Sequence, residues 1–222
     1  MNVVVLLGAP GAGKGTQAPL LAARLGIPVV ATGDLFRAAV RDGSQLGREA
    51  RRYMDAGQLV PDEITVNLLL ERLARPDAAA GVVLDGFPRT AVQAKALDVA
   101  LAERGASVSV AILVDVPADE LVRRMSGRWI CRAAGHPYHE VSSPPRVPGI
   151  CDVDGSELYQ RADDQPATIR ARLDQQLGAL AQVVEHYRSS GVLRTVDGLQ
   201  PIEAVSAAVG AALVGTGVAM AR

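Results

Sequence analysis

The sequence is poor in the features that mark several classes of protein. Only two of its 222 residues are cysteine, which excludes a small scaffold held together by disulfide bonds. Its 23 basic and 24 acidic residues leave a net charge of −1, so no overall charge draws the chain to nucleic acid or to a membrane surface. The one long apolar stretch, residues 205–221, is rich in alanine and glycine and contains Ser206 and Thr216. A membrane span needs about 20 strongly apolar residues, so we expect a C-terminal helix that ends near Gly215 instead.

The N-terminal residues lack the features of a signal segment. The sequence enters an apolar run at Val3, with no basic region and no cleavable apolar segment before it. With 222 residues, the chain fits one domain with small insertions. We therefore expect a cytoplasmic protein of one main domain, with no nucleic acid and no membrane among its partners.

Lysine is nearly absent, and one of the two lysines lies in the most informative stretch of the chain. Lys14 and Lys95 are the only ones, so 21 of the 23 basic residues are arginine. Lys14 belongs to the sequence GAPGAGKGT at residues 8–16, which follows an apolar run at 3–7 and precedes a helix-favouring stretch at 17–25. A strand, a glycine-rich turn and a helix form a phosphate-binding loop, in which backbone N–H groups and the helix N-terminus face an anion. The lysine then reaches the terminal phosphates.

The loop departs from the general phosphate-binding pattern at one position. Gly15 follows the lysine, where the general form has a serine or threonine that binds magnesium, and Thr16 comes one residue later. We therefore expect magnesium coordination to differ from that in the common nucleotide hydrolases.

Apolar segments alternate with helix-favouring segments along most of the chain. This alternation predicts a parallel α/β sheet, in which ligands bind beyond the carboxyl ends of the strands. Four residues that directly follow or end predicted strands should share that edge: Gly8, Thr32, Asp85 and Asp115. The predicted strands are residues 3–7, 29–31, 81–84, 108–114 and 192–196, and the predicted helices are residues 17–25, 35–41, 46–55, 62–73, 90–104, 118–125, 163–189 and 201–213.

Residues 127–165 break the alternation. They contain four prolines, both cysteines and two of the three histidines, and they show no helical period. A segment of this length without secondary structure is uncommon inside a compact domain. We therefore predict an inserted subdomain of short β hairpins.

Six arginines lie at the ends of predicted elements or in turns, where they could face an anionic ligand. The planar fork of arginine binds phosphate oxygens in pairs, and a chemistry that transfers a phosphoryl group needs mainly positioning and positive charge. Any one of the six could equally be a solvated surface charge. They are Arg37, Arg89, Arg124, Arg128, Arg161 and Arg172.

Five short motifs, taken in order, resemble those of the adenylate kinases. They are GAPGAGKGTQ at 8–17, TGD at 32–34, DGFPRT at 85–90, GR at 127–128 and RADD at 161–164, and the resemblance runs from the first strand to at least Pro201. It implies a P-loop fold of three α/β/α layers around a parallel sheet, with a helical monophosphate-binding insert and a small β lid. The implied divisions are core with the phosphate loop at 1–31, AMP-binding segment at 32–61, core at 62–126, lid at 127–164, and core with the C-terminal helix at 165–222.

The resemblance implies a reversible, magnesium-dependent transfer of a phosphoryl group from ATP to AMP, which gives two ADP. Transfer would be in line, without a covalent intermediate, in a monomer whose lid closes to exclude water. One alternative is an AMP kinase of the same fold that uses GTP, because GRWI at 127–130 resembles the start of the lid in mitochondrial GTP-dependent members. A second alternative is a nucleotide sensor without turnover, which the complete set of Lys14 and arginines disfavours.

Each matching position carries a role implied by the resemblance. ATP would be bound by Gly11, Ala12, Gly13, Lys14, Gly15, Thr16, Arg124, Arg128, Pro137, Tyr138 and Gln200. AMP would be bound by Thr32, Arg37, Gln58, Leu59, Val60, Gly86, Phe87, Pro88, Arg89, Gln93, Arg161 and Arg172, with the amide of Gln93 suited to the adenine edge. The catalytic set would be Lys14, Asp85, Arg89, Arg128, Arg161 and Arg172, with Asp85 holding magnesium through water, and Asp163 and Asp164 would make the lid contacts that close the site.

The lid departs from those of many bacterial relatives in its metal ligands. Such lids carry zinc on two pairs of ligands, and the matching positions here are Cys131 with Ala134 and Cys151 with Asp154. A structural zinc site takes four protein ligands, and alanine supplies none. One of the four ligands is therefore missing from the usual positions.

Two lid histidines, His136 and His139, could replace the lost ligand, although His139 is expected to make a lid hydrogen bond. A disulfide between the two cysteines is disfavoured in a reducing cytoplasm. We therefore expect magnesium with ATP as the cofactor, no structural zinc, and a lid held by packing and hydrogen bonds.

Overall fold

The computed structural model describes residues 1–56, 58–160, 164 and 166–218. Its strands are β1 (Asn2–Leu7), β2 (Val29–Ala31), β3 (Gly81–Asp85), β4 (Val108–Asp115), β5 (Arg128–Cys131), β6 (Pro137–His139), β7 (Leu158–Tyr159) and β8 (Leu193–Asp197). Its helices are α1 (Lys14–Leu25), α2 (Thr32–Arg41), α3 (Gln45–Asp55), α4 (Asp62–Leu73), α5 (Ala91–Ala102), α6 (Ala118–Ser126), α7 (Pro166–Ser189) and α8 (Ile202–Ala211), with a 3-10 turn at Pro76–Ala78.

Five strands form one parallel sheet in the order β2-β3-β1-β4-β8. β1 lies at its centre, where Leu6 is in register with Asp85 of β3 and with Ile112 of β4. Because the carboxyl ends of parallel strands meet at one edge, the loops that follow β1, β2 and β3 converge there. This edge positions the candidate site.

The apolar residues of β1 alternate between two hydrophobic cores, one on each face of the sheet. Val4 and Leu6 pack into a core with residues of α1, α6 and α8. Val3, Val5 and Leu7 pack into a second core with residues of α4 and α5. Burial on both faces explains why this strand is an uninterrupted apolar run.

The 24-residue helix α7 contributes to both cores and is tied to its neighbour by a polar contact. His186 Nε2 lies 2.6 Å from Asp98 Oδ2 on α5. On the other face, Arg24 of α1 donates to the carbonyl and the hydroxyl of Ser206 on α8, both at 3.0 Å. No helix within the described ranges combines the length and the hydropathy that a membrane crossing requires.

Two groups of elements lie outside the main sheet and have small cores of their own. Helices α2 and α3 pack on each other, and β5 pairs antiparallel with β6 and with β7 to form a three-stranded sheet. The buried residues of the first group are Phe36, Ala50 and Val60, and those of the second are Cys131, Tyr138, Cys151 and Leu158.

The predicted α/β architecture with a parallel sheet is confirmed. β2 and α4 have the predicted bounds, whereas the first residue of α2 differs from the predicted one. This helix begins at Thr32 rather than at residue 35, with Ala31 at its N-cap position, and the Thr32 hydroxyl donates to Gly86 O. The insert contains short antiparallel strands, as predicted from its lack of helical period.

Candidate active site

A cleft of about 960 Å³ opens at the carboxyl edge of the main sheet. It lies near the upper end of the range of about 300–1,000 Å³ that is usual for small-molecule sites. The phosphate loop, the segment at residues 32–61, the turn after β3, the lid and the loop after β8 all contribute to its lining. Segments far apart in sequence therefore face one cavity.

The phosphate loop has the backbone shape that its glycines predicted. Gly13 precedes α1 with φ 97°, a left-handed conformation that side chains disfavour. A Cβ on Gly11 would lie 2.9 Å from Met125 Cγ, so α6 leaves no room for a side chain there. Lys14 Nζ donates to Gly8 O at 2.8 Å and to Ala9 O at 3.0 Å, which curls the lysine over the loop.

The start of α1 lies beside the end of β3, where magnesium would be held with ATP. A Cβ on Gly15 would stand 3.5 Å from Asp85 Oδ2, and Thr16 and Asp85 both line the cleft. Hydroxyl and carboxylate oxygens are ligands that magnesium prefers, directly or through water. The chemistry of these donors therefore fits the ion, with threonine one residue later than in the general pattern.

The turn after β3 is fixed by two side chains that share one carbonyl oxygen. Thr32 Oγ1 and Arg89 Nε both donate to Gly86 O at 2.8 Å. Gly86 has φ 74°, and a Cβ there would lie 3.0 Å from Arg89 Nη2. Glycine is required at this position for the backbone and for the space beside Arg89, which lines the cleft together with Arg37. Arg37 Nη2 donates to Asp34 Oδ1 at 2.5 Å.

The side chain of Gln93 is held in one orientation by its neighbours. It is 1% exposed, its Oε1 accepts from Arg89 N at 2.7 Å, and its Nε2 donates to Asp62 Oδ1 at 2.7 Å. Asp62 Oδ2 accepts from Thr90 Oγ1 at 3.0 Å. Nε2 carries a second hydrogen and Oε1 a second lone pair, and Gln93 is among the residues that line the cleft.

Two arginines connect the lid and α6 to the cleft. Arg128 Nε donates to Asp164 Oδ2 at 2.7 Å, and a second hydrogen bond joins Arg128 Nη2 to Asp164 Oδ1. The Asp164 side chain is fully buried, so the predicted lid residue is bound by the predicted ATP-binding arginine. Arg124 Nη2 donates to Gly198 O at 2.8 Å, while Arg123 and Arg124 lower the pKa of Glu120 to about 2.

The cleft brings together most of the predicted ATP- and AMP-binding residues. Phe87 differs, because its side chain is 1% exposed in the core behind the sheet and does not line the cleft. Tyr138 lines the cleft but turns its hydroxyl into the lid, where it accepts from Asp152 N at 2.7 Å. Arg161 and Asp163 lie outside the described residues, and Arg172 lies in α7 with its side chain outside the description. The other predicted residues that line the cleft are Gly11, Ala12, Gly13, Lys14, Gly15, Thr16, Thr32, Arg37, Gln58, Leu59, Val60, Asp85, Gly86, Pro88, Arg89, Gln93, Arg124, Arg128, Pro137 and Gln200.

The lid contains a cluster of four side chains that could hold a metal ion. Their ligand atoms all lie within 4.8 Å of one another. Burial favours a raised pKa for one thiol of the cluster, that of Cys131, yet hydrogen bonds from the Ser156 hydroxyl and the Ala134 N–H lower the pKa to about 7. One ligand is still missing from the four usual positions, because Ala134 supplies none, and His136 brings the group of possible ligands to four. The four residues are Cys131, His136, Cys151 and Asp154.

The sequence alone did not identify three residues that shape the cleft. Asp62 orients Gln93, and no local signal links these two positions, which lie 31 residues apart. Gln17 is buried and donates from Nε2 to Ile202 O at 3.0 Å, although its place in the GAPGAGKGTQ motif was a signal. Arg123 lines the cleft beside Arg124, and the pair of arginines near the end of α6 could have indicated it.

Comparison with known proteins identifies the family. A family model described as adenylate kinase matches residues 6–192. The adenylate kinase of Moorella thermoacetica is 50% identical over 210 residues, which cover 95% of this chain and 97% of that relative. Those of Lysinibacillus sphaericus and Streptomyces griseus are 47% and 48% identical and cover 96% and 92% of this chain, and 98% and 94% of their own lengths. By the match of the family model and the identity to these relatives, this chain belongs to the adenylate kinase family.

Proposed function

We propose that this chain transfers a phosphoryl group from ATP, bound with magnesium, to AMP and so forms two ADP. The observation that carries this proposal is the shared cleft, which the phosphate loop, Arg89 after β3 and Arg128 of the lid all line. A donor phosphate on the loop and an acceptor phosphate near Arg89 would then meet in one cavity. The names of the relatives describe the same activity.

The donor nucleotide is held by the phosphate loop and by residues on both sides of it. Backbone N–H groups from Gly11 to Thr16 face the phosphates, and the N-terminus of α1 adds partial positive charge. Lys14, which binds Gly8 O and Ala9 O, exchanges these carbonyls for phosphate oxygens. Arg124, Arg128, Pro137, Tyr138 and Gln200 complete the donor side.

The acceptor is held by the turn after β3 and by the AMP-binding segment. Arg37 and Arg89 bind the AMP phosphate, while the amide of Gln93 reads the adenine edge. Gln93 suits this task because Asp62 and Arg89 N already fix its orientation. Thr32, Gln58, Leu59, Val60, Gly86 and Pro88 shape the rest of this side, and Phe87 supports the turn from within the core.

The reaction needs little covalent chemistry from the protein. An oxygen of the AMP phosphate forms a bond to the γ-phosphorus of ATP, and the bond from that phosphorus to the bridging oxygen breaks, which leaves ADP on each side. Lys14, Arg89, Arg128, Arg161 and Arg172 stabilise the negative charge that spreads over the transferring group. Thr16 and Asp85 would hold magnesium together with ATP, and the ion would supply further charge neutralisation.

The lid and the AMP-binding segment are the parts of the protein that move relative to the main sheet in this mechanism. Each has a small core of its own outside the main sheet, at residues 127–164 and 32–61. Closure of the lid excludes water, which would otherwise accept the phosphoryl group. Asp163 and Asp164 make the closing contacts. A monomeric state and a cytoplasmic location remain predictions from the sequence.

Product analysis tests the proposal. The purified protein is incubated with magnesium and ATP, or GTP, against AMP, UMP, CMP and GMP, and diphosphates are quantified by chromatography. We expect rapid ADP formation from ATP and AMP. The variant Lys14→Ala should lose about 100- to 1,000-fold in kcat, the usual effect of removing one charge-stabilising donor.

The only other lysine provides a matched control. Lys95 is exposed on α5, so Lys95→Ala should keep the full rate. A preference for GTP would assign the chain to the GTP-dependent AMP kinases. Nucleotide binding without any diphosphate product would contradict the enzyme and indicate a sensor.

A further inference from the structure

Two large apolar side chains remain exposed where the loop after β8 meets the cleft. They are Leu199 and Ile202, which are 51% and 44% exposed and which both line the cleft. Small-molecule sites are lined mainly by such side chains, with a few polar groups that fix the orientation of the ligand. This part of the cleft therefore suits the flat apolar faces of a nucleotide base.

The loop that contains Leu199 is held in one conformation by its neighbours. Asp197 Oδ1 accepts from Leu199 N at 2.8 Å, and Asp197 Oδ2 accepts from Gln200 Nε2 at 2.7 Å. Gly198 N donates to Asp115 O at 2.8 Å, which ties the loop to the end of β4. Because Gly198 also lines the cleft, its carbonyl is a fixed point in that lining.

Arg124 reaches from α6 to this carbonyl and is held on both sides of the cleft lining. Its Nη2 donates to Gly198 O at 2.8 Å, and its Nε donates to Glu120 Oε1 at 2.7 Å. The N–H groups of a guanidinium lie in its plane, so two partners on different elements fix the direction of that plane. These hydrogen bonds do not use the two faces of the group, and arginine readily stacks its faces on aromatic rings.

Glu120 places a negative charge in the lining of a cleft that we propose binds polyphosphates. A carboxylate without a partner would repel phosphate oxygens. However, Arg123 donates from Nε to Glu120 Oε2 at 2.7 Å and from Nη2 to Glu120 Oε1 at 2.8 Å, and Arg124 adds a third hydrogen bond. Hydrogen bonds from the two arginines lower the pKa of Glu120 to about 2, so the carboxylate is ionised at neutral pH and its charge is compensated. These are the contacts of a residue that holds arginines in place.

We propose that Glu120 is a positioning residue for the donor nucleotide, which fixes the plane of Arg124 so that this side chain stacks on the purine base beside Leu199 and Ile202. The inference rests on the proposed function, because the donor in that reaction is ATP. A stacked contact is made equally in the bound substrate and in the transition state. It should therefore lower the KM for ATP without raising kcat.

Steady-state kinetics of two variants test the role of the carboxylate. Glu120→Ala removes both acceptor oxygens and should raise the KM for ATP about 3- to 10-fold, in keeping with the strength of a cation–π contact. Glu120→Gln keeps one oxygen that can accept from Arg124, so it should have a smaller effect. The KM for AMP and kcat should stay unchanged in both variants.

Titration calorimetry separates a contact with the base from a contact with the phosphates. ATP and inorganic tripolyphosphate share a chain of three phosphates, but only ATP carries a base. If Glu120 acts on the base through Arg124, Glu120→Ala should weaken the binding of ATP about 3- to 10-fold and should not weaken that of tripolyphosphate. Equal weakening of both ligands would show that the pair serves the phosphates, and it would overturn the proposal.

A double-mutant cycle shows whether Glu120 acts through Arg124. In an Arg124→Ala background, Glu120→Ala should have no further effect on the affinity for ATP, because the side chain that it positions is gone. Fully additive effects would contradict the proposal. Glu185→Ala is the matched control, since Glu185 also pairs with an arginine of its own helix, Arg188, and their side chains are 63% and 58% exposed. It should leave the affinity for ATP unchanged.

The outcomes distinguish this inference from the proposed function. Calorimetry needs no turnover, so a wild type that binds ATP but forms no ADP would contradict the proposed reaction, and the binding data would still decide the role of Glu120. Unchanged ATP affinity in folded Glu120→Ala and Glu120→Gln would overturn that role even if the wild type forms ADP rapidly. If Glu120→Ala does not fold, the isosteric Glu120→Gln variant decides by the same two titrations.

Discussion

Several residues of the cleft bind other parts of the protein, and these contacts orient the groups that we propose as ligand contacts. Thr32 and Arg89 share the carbonyl of Gly86, and Lys14 bridges two carbonyls of its own loop. Fixed side chains lose little further entropy when a ligand binds. At the scale of single residues, ligand binding should therefore depend on the partner that orients a side chain as well as on the side chain proposed to touch the nucleotide.

Asp62 is the clearest supporting residue, and Asp62→Asn tests it. The carboxylate accepts from both Gln93 Nε2 and Thr90 Oγ1, but an asparagine offers only one oxygen and turns a donor toward the second partner. An unmatched donor of this kind costs about 1–3 kcal/mol, and 1.4 kcal/mol is a factor of ten. We expect the KM for AMP to rise about tenfold while the KM for ATP stays unchanged, as measured by steady-state kinetics.

Asp119→Asn is the matched control, because Asp119 is an exposed residue at the start of α6. It should leave both KM values unchanged. Equal effects of Asp62→Asn on both nucleotides would show that Asp62 supports the fold in general rather than the AMP side.

The packing of α2 on α3 shows what decides geometry at the scale of elements. A Cβ on Gly47 would stand 2.1 Å from Ala39 O, so the two helices touch through a glycine in the first turn of α3. Ser44 caps this turn, since its hydroxyl accepts from Gly47 N at 3.0 Å. Glycine here permits a close contact rather than a turn, although glycine within a helix is usually unfavourable.

Two helical glycines should respond in opposite directions to alanine. Gly47→Ala forces α3 away from α2, and overpacking of this kind costs about 1–3 kcal/mol of unfolding free energy. Gly178→Ala in α7 should stabilise the protein by about 0.5–1 kcal/mol, because its Cβ meets nothing within 4 Å and alanine favours the helix. Denaturant unfolding gives both values, and hydrogen exchange should place the loss in α2 and α3. A stable Gly47→Ala with unchanged exchange would refute the tight contact.

At the scale of the whole molecule, a buried ion pair ties the first strand of the lid to the residue that lies just before α7. Arg128 starts the first strand of the lid, and the Asp164 carboxylate that it binds is fully buried. Bidentate arginine–carboxylate contacts are directional and strong in a dry environment. Because the lid moves as a unit in the proposed mechanism, this contact sets how firmly it closes.

Asp164→Asn removes the charge and keeps the shape. A hydrogen bond to a charged group contributes about 1.5–3 kcal/mol, so we expect a lower Tm and a kcat reduced about tenfold, measured by thermal unfolding and steady-state kinetics. The lid offers a matched exposed pair, Arg132 with Glu157, whose side chains are 60% and 68% exposed. Glu157→Gln should change Tm and kcat little. If both variants behave alike, the buried pair has no special role in closure.

The sequence by itself determined the local framework of this protein. The phosphate loop could be predicted because glycines, a lysine and a flanking apolar run act within fifteen residues or so, and local backbone preferences depend on near neighbours. The alternation of strands and helices predicted the parallel sheet and its ligand-binding edge for the same reason. Most of the site residues that the resemblance to adenylate kinases named do line the cleft, and Phe87, which lies in the core, shows that a motif position does not fix where a side chain points.

Only the tertiary structure decided which distant residues become partners. Asp62 meets Gln93 across 31 positions and Arg128 meets Asp164 across 36, and neither spacing leaves a periodic signal in the sequence. His136 joins the cysteine cluster because β5, β6 and β7 pair antiparallel and bring its ring between the two turns. Whether two distant residues meet depends on how the helices and strands pack and on the loops that connect them. Both are properties of the folded chain rather than of any single stretch of sequence.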